Sequence, residues 1–456
     1  MVSMTGIQFL LSIGIILLSL LIGYIIVKLP FINKWYLPAS LIGGLILLIF
    51  GPQIAGHHFP EWQLSSSFYS EWARLPGLLI NVVFASLFLG RNLVPLKEVW
   101  KMAAPQAAFG QTLAWGQYAI GGLVTLFILI PLFSTTPLAA ALIEISFEGG
   151  HGTASGLEPV FNSLNFEVGY QMAVAMATLS LNAALISGLI LTAWGRKKGY
   201  IKTVKYRNVR QLIYHRRIIT DLKKQGISLR KHFASKEFFS SLLLVILAVA
   251  IGLLLHKLLI EFENLTWGKN NIIIFNYLPA FTLCMFGGMI AQKIWSKFDL
   301  QVSRPAVELI SSTALSILII SAIATMKLDF FSTHLPAFLI LSISGIVWIL
   351  IIFVTLGPKM FKKNWFQNSI VNMAQSMGQT ATGLLFVKIA DPHDKTNAME
   401  SFGYKQLLFE PFMGGGIVTA MSMPLIMLLG LPLFTAITAA ICIIWIILGL
   451  TYFNRL

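Results

Sequence analysis

Long apolar runs separated by short polar or charged stretches set the pattern of this chain. About 20 apolar residues carry a helix across a bilayer, and the first half offers residues 7–27, 37–50, 75–89, 103–133 and 168–194 on that measure. The second half offers residues 238–260, 272–290, 306–326, 335–356, 402–429 and 434–448, about eleven spans in all. Between the fourth and fifth run of each half lies a stretch too polar and glycine-rich to cross alone, residues 137–160 and 368–391. Hydrocarbon gives a broken backbone no water to bond to, so such breaks survive only inside protein or along a cavity. Paired breaks in the two halves of a membrane chain mark a transporter's binding site, and both stretches are read as re-entrant hairpins.

Composition agrees with the pattern. Of 456 residues 56% are hydrophobic and 11% charged, against about 25% charged in soluble domains. The first run is too long for a signal-peptide core and lacks a basic stretch before it, so it reads as a retained span. Cys284 and Cys442 both fall in apolar runs and read as small packing residues rather than a disulfide or metal pair.

The net charge of +15 is concentrated in one place. Residues 196–236 hold 14 of the 33 basic side chains and one acid, Asp221. A single basic loop between apolar spans marks the cytoplasmic side and contacts anionic lipid, which argues against nucleic acid as partner. Counting outward, Lys28, Lys34, Arg91, Lys97, Lys101, Lys293, Lys297, Arg304, Lys359, Lys362 and Lys363 also fall inside. The N-terminus is then external and the C-terminus cytoplasmic.

An odd number of spans separates the halves, so they are inverted relative to each other. Tyr36-Leu37-Pro38-Ala39 recurs as Tyr277-Leu278-Pro279-Ala280, Thr153-Ala154-Ser155-Gly156-Leu157 as Thr380-Ala381-Thr382-Gly383-Leu384, and Gly169-Tyr170 as Gly403-Tyr404, in the same order. The expected fold is an all-α polytopic membrane protein. Residues 1–195 form a first five-helix repeat with hairpin 137–160, and residues 196–236 the basic loop. A second repeat with hairpin 368–391 spans residues 237–430, and 431–456 form a terminal helix. The hairpin tips enter from opposite faces and meet near the midplane.

Candidate chemistry clusters at those tips. Gly149, Gly150 and Gly152 let backbone amides approach a ligand, and half-helices starting at Thr153 and Thr380 aim a positive dipole end at an anion. Hydroxyls of Thr153, Ser155, Thr380 and Thr382, with Gln379, supply oxygens or hydrogen bonds to substrate. Oxygen ligands suit a hard cation, and Glu148, Asn372, Gln375, Ser376, Gly378 and Glu410 are the candidates for ion binding or coupling. An acid at membrane depth is functional by default; Glu148 either balances a cation, pairs with His151 or Lys405, or caps its own hairpin. Lys405 and Glu410, five residues apart, either pair or face ligand. His151 hydrogen-bonds substrate, carries a proton or serves as a structural partner, and no second histidine stands at metal-ligand spacing.

At Gly149-Gly150-His151-Gly152-Thr153 the chain resembles the glutamate:sodium symporter family, and the span count and paired hairpins are similar over nearly the whole length. The resemblance implies uptake of glutamate or a related small anionic amino acid driven by sodium, with no cofactor beyond that ion. It also implies a bacterial cell-membrane location and an elevator-type homodimer. By position it places Gly149, Gly150, His151, Gly152 and Thr153 at the first tip, and Lys405 or His151 beside a substrate carboxylate. Glu148 before the Gly pair, and the Gln- and Thr-rich Ser376-Met377-Gly378-Gln379-Thr380, depart from the family pattern. A proton-coupled carrier using Glu148, His151 and Glu410 is the alternative. An intramembrane enzyme lacks support, since Gly152-Thr153-Ala154-Ser155-Gly156 sets its serine one place late for a nucleophile elbow.

Overall fold

A computed structural model describes residues 6–29, 32, 37–90, 96–201, 236–266, 275, 278–298, 302–328, 330–391 and 395–453. Most of the basic segment, residues 202–235, lies outside the described residues, as do Tyr36, Arg91, Tyr277 and Asn454-Arg455. Every regular element among the described residues is a helix. In chain order the first are α1 (Gly6–Ile26), α2 (Ala39–Ile49), α3 (Leu75–Ala85), α4 (Leu96–Val124), α5 (Leu142–Phe147), α6 (Gly150–Gly156) and α7 (Glu167–Lys197). The second half supplies α8 (Lys236–Leu265), α9 (Ala280–Ser296), α10 (Arg304–Ala324), α11 (Phe330–Thr355), α12 (Trp365–Gly378) and α13 (Thr380–Ala390). It ends with α14 (Ala398–Phe409), α15 (Ile417–Leu429) and α16 (Leu431–Thr451).

Six helices among the described residues are long and apolar enough to cross a membrane: Ala103–Phe133, Glu167–Lys197, Glu237–Leu265, Arg304–Ala324, Phe331–Met360 and Leu431–Thr451. The chain is a multi-pass membrane protein, all-helical among the described residues. The first expected span, 7–27, is α1, a helix of 21 residues; of the others, 37–50, 75–89 and 272–290 are shorter and 402–429 is broken. Only 11 residues of 75–89 are helical, and that helix ends where Arg304 Nη1 donates to the carbonyls of Ser86, Leu87 and Leu89, the last at 2.6 Å. The run 402–429 splits into α14 and α15 because Gly414 and Gly415 take φ of 67° and 107°, which a helix cannot continue.

The chain divides into two compact units, each drawing on both halves of the sequence. One is drawn from Met1–Arg91, His151–Thr178 and Ala234–His334; the other from Asn92–Gly150, Leu179–Phe233 and Leu335–Leu456. In the first, two helix pairs are built alike. Leu-Pro-Ala starts both α2 and α9, with the prolines at φ −63°, ψ 140° and φ −66°, ψ 143°. Proline at this place lacks only a donor that the helix start would leave unpaired. Gly43 of α2 sits where a Cβ would come 2.9 Å from Ser19 O of α1, and Gly287 of α9 where one would come 2.7 Å from Gly252 N of α8. The following glycines reach across the pairs, Gly44 to Ile323 of α10 and Gly288 to the Ala85 backbone of α3. Ala85, Leu244, Ala248, Cys284 and Val307 close one core, and Ile16, Leu47, Trp72 and Ile320 another.

In the second unit α4 is the central post, packed by α5, α12, α14 and α16. Small residues again set the spacing. A Cβ on Gly122 would overlap Thr435 of α16, and one on Gly110 would meet Lys405 of α14. Val371, Val387, Ala398 and Phe402 form the core that holds α12, α13 and α14 together.

Without a hydrophobic drive between helices in lipid, close backbone approach carries the packing. Gly287→Val is therefore expected to lower the melting temperature of detergent-purified protein, by overpacking of about 1–3 kcal/mol. Gly14→Ala, in α1 with nothing within 4 Å of the new methyl, is expected to raise it slightly through helix propensity.

Candidate functional site

Two helix breaks in the second unit define the candidate site. The first follows α5 and turns at Gly150, whose φ of 67° is free of strain only for glycine. The next helix begins there, at Gly150, three residues before the Thr153 start expected from the sequence. The second break is a single residue, Gln379, between α12 and α13. Its φ of 106° and ψ of 159° lie in a region that costs a residue with a side chain about 1–3 kcal/mol. The expected start at Thr380 is where α13 begins. The two tips adjoin: a Cβ on Gly150 would lie 3.1 Å from both Cγ and Nε2 of Gln379.

Beside the breaks runs a buried polar chain. Gln375 Nε2 donates to Glu148 Oε1, and its Oε1 accepts from Lys405 Nζ at 2.9 Å. Lys405 donates a second bond to Gln406 Oε1 at 2.9 Å. Gln406 Nε2 in turn donates to Thr380 Oγ1 at 2.7 Å and Glu410 Oε1 at 2.9 Å. Thr380 Oγ1 donates to the same carboxylate at 3.1 Å. Order along the chain is thus carboxylate, amide, ammonium, amide, carboxylate. Each amide turns its NH₂ to an acid and its oxygen to the ammonium, the one orientation that satisfies both. Lys405 is fully buried, with Nζ 3.5 Å from the Phe409 ring centroid.

Glu148 keeps one oxygen in reserve. Ser376 lies against its carboxylate, yet Glu148 Oε2 and Ser376 Oγ have no hydrogen-bond partner of ordinary geometry, and both residues are buried. Asn372, one turn before Ser376, donates to Gln106 Oε1 at 3.0 Å and leaves its own Oδ1 unbonded. Gln117 Nε2 caps the Ser376 carbonyl at 3.1 Å, and Thr382 Oγ1 that of Gly378 at 3.2 Å. Carbonyls released by the Gln379 break are satisfied in this way.

One acid the sequence reading passed over is Glu144, also fully buried and one turn before Glu148 on α5. Its Oε2 accepts Tyr118 OH at 2.5 Å, and its Oε1 accepts Thr419 Oγ1 at 2.7 Å and Gly414 N at 3.1 Å. It clamps the broken α14–α15 connection to α4. An acid inside an apolar run was the signal that could have found it. Gln106, Gln117 and Gln406 carry no such signal, since neutral amides are unremarkable in sequence.

The remaining first-tip residues belong to the first unit, which resumes at His151. There His151 Nε2 and Thr178 Oγ1 are 2.8 Å apart, and Ser155 lies beside Tyr170. Thr153 is buried, and a Cβ on Gly152 would meet Ile80 at 3.1 Å. Of the predicted residues, the second unit brings together Glu148, Gly149, Gly150, Asn372, Gln375, Ser376, Gly378, Gln379, Thr380, Thr382, Lys405 and Glu410. Among the described residues no cluster of three or more His, Cys, Asp or Glu side chains is arranged to hold a metal ion.

Two stability comparisons test this geometry. Gln379→Gly is expected to melt above Gln379→Ala by about 1 kcal/mol, the reverse of the usual helix order, because the backbone there suits glycine. Glu144→Leu strands three donors and is expected to cost about 3 kcal/mol, whereas Glu144→Gln, which still accepts through Oε1, should lose far less. Thermal unfolding in detergent reads both.

No curated protein matches the chain. A family model described as sodium/glutamate symporter matches residues 6–383, through both helix breaks and up to the start of α13. That family consists of transporters, not enzymes, and the match covers most of the 456 residues. The chain belongs to the sodium/glutamate symporter family.

Proposed function

We propose that the protein is a sodium-coupled symporter that brings glutamate or a related small anionic amino acid into the cell. The observation that carries this reading is the buried Glu148 carboxylate, with Ser376 against it and one oxygen lacking a partner of ordinary geometry, next to two adjoining helix breaks. An ionised carboxylate with a free lone pair in low dielectric attracts a cation, and hard cations take oxygen ligands such as these. Asn372 Oδ1 adds another within the same helix face. Substrate carboxylates are held by backbone amides at the tips, Gly149, Gly150 and the start of α13, with hydroxyls of Thr380 and Thr382 beside them. His151, Gly152, Thr153 and Ser155 follow the first tip in sequence, within the first unit. A single charge moved down a potential of about 100 mV supplies about 2.3 kcal/mol, enough for roughly fifty-fold accumulation.

The matching Leu-Pro-Ala helix starts and paired glycine contacts support an internal duplication. Inverted orientation of the halves, hairpins entering from opposite faces, an elevator-type movement and a homodimer complete the reading. Basic stretches place the C-terminus in the cytoplasm.

Purified protein in liposomes is expected to accumulate labelled glutamate only under an inward sodium gradient. Glu148→Gln should weaken half-saturation by sodium about tenfold or more, the size of one lost charged contact. Uptake indifferent to sodium would rule the proposal out. The pair of buried acids Glu144 and Glu148 on one face of α5 favours one other reading, a proton-coupled carrier of a small carboxylate. Uptake driven by a pH step in sodium-free buffer would select it.

A further inference from the structure

The sequence alone left Lys405 free to face a substrate carboxylate, but two of its N–H donors are already used and its ammonium lies against an aromatic ring. The two go to Gln375 Oε1 and Gln406 Oε1 at 2.9 Å each, and the ammonium stands over the Phe409 ring at 3.5 Å. The place is built for it. Gly110 of α4 has no side chain where Lys405 Cε and Nζ lie, and a Cβ would come within 2.5 Å and 2.8 Å of them. Around the ammonium stand two amide oxygens, with a carboxylate one hydrogen bond beyond each, which is an oxygen set a free monovalent cation would accept. The two amides also bracket the second break: Gln375 lies before Gln379 on α12, and Gln406 bonds Thr380 just after it. Lys405 stands beyond the residues that match the family model.

We infer that the ammonium of Lys405 is a tethered cation occupying the place of one coupling ion at the second helix break. The inference rests on the ion-coupled reading of this site. Being covalently held, the charge offsets one of the two negative charges of Glu148 and Glu410 without entering or leaving, so the protein couples one fewer free cation per substrate than it would without the lysine. Removing the side chain and leaving space exposes the Gln375 and Gln406 oxygens to a free ion. Removing only the charge, with apolar bulk retained, does not.

Lys405→Ala and Lys405→Met separate these cases. In proteoliposomes clamped to zero potential with a tenfold sodium gradient, Lys405→Ala is expected to use one more sodium per substrate than the wild type. Its steady-state accumulation would then be higher by about tenfold. Lys405→Met is expected to gain no sodium. A readout independent of transport is the melting temperature of detergent-purified protein in sodium against potassium. The Ala variant should gain a sodium-dependent rise exceeding that of wild type, and the Met variant should not. An Ala variant recovered as folded protein only in sodium supports the inference. One that misfolds equally in both salts, matches wild type in sodium response, or behaves as Met does overturns it. Sodium-indifferent uptake by wild type would remove the sodium symport reading while leaving the comparison between variant and wild type intact.

Discussion

In hydrocarbon a peptide group that leaves its helix has no water to bond to, and the fold is organised around answering each such loss. At the Gln379 break the freed carbonyls of Ser376 and Gly378 find Gln117 and Thr382. At the Gly414–Gly416 break, Gly414 N finds Glu144, and Gly415 N finds Thr419 Oγ1 at 3.1 Å. Where α3 stops short, Arg304 takes three carbonyls with one nitrogen. The polar side chains that look misplaced in an apolar sequence are largely the partners of these breaks. A break without its partner would cost several kcal/mol, so break and partner have to be kept together.

Charge follows from the same constraint. A direct buried ion pair has to recover the desolvation of both ions from one contact. The second unit instead spaces Glu148, Lys405 and Glu410 with glutamine amides, so that Lys405 has two acceptors, Glu410 two donors and Glu148 one. Its buried acids and base are Glu144, Glu148 and Lys405, with Glu410 half-buried. The carboxylates outnumber the ammonium, and Glu148 alone among the fully enclosed ones holds an oxygen without a partner of ordinary geometry. Glu144, by contrast, is filled by three donors. Two acids one turn apart thus divide the work, one holding a broken helix in place and the other left open.

Much of this was legible in the sequence where it depends on backbone chemistry. Glycine and threonine among long apolar runs located both breaks, and the second helix begins at Thr380 as expected. The first begins at Gly150 instead of Thr153, because which of several glycines takes positive φ depends on what packs around it. Among the described residues six helices are long and apolar enough to span, and α1 covers the first expected run with 21 residues, where about eleven spans were expected. Hydropathy counts apolar residues but does not see that α3 is capped early by a distant arginine, or that Gly414 and Gly415 divide one run. Side-chain partners across the fold were the least legible. The spacing of Lys405 and Glu410 leaves them either to pair or to face ligand, yet they are joined through Gln406, a neutral residue with no signal of its own.

The two interrupted helices also differ in what they bring. α5 brings charge, Glu144 and Glu148, ahead of a glycine turn whose backbone is relaxed. α12 and α13 bring neutral groups, Asn372, Gln375, Ser376 and Thr380, around a residue held in a conformation that opposes its own side chain. Strain of that kind persists only where the surroundings fix the residue from several directions. Gln375 and Thr380 do so from either side, through hydrogen bonds that run to Lys405 and Gln406 on α14. A change in the charge facing Glu148 therefore alters the force on Gln375, and through it the cost of keeping Gln379 in place. The Glu148 carboxylate and the geometry of the second break are linked through one amide.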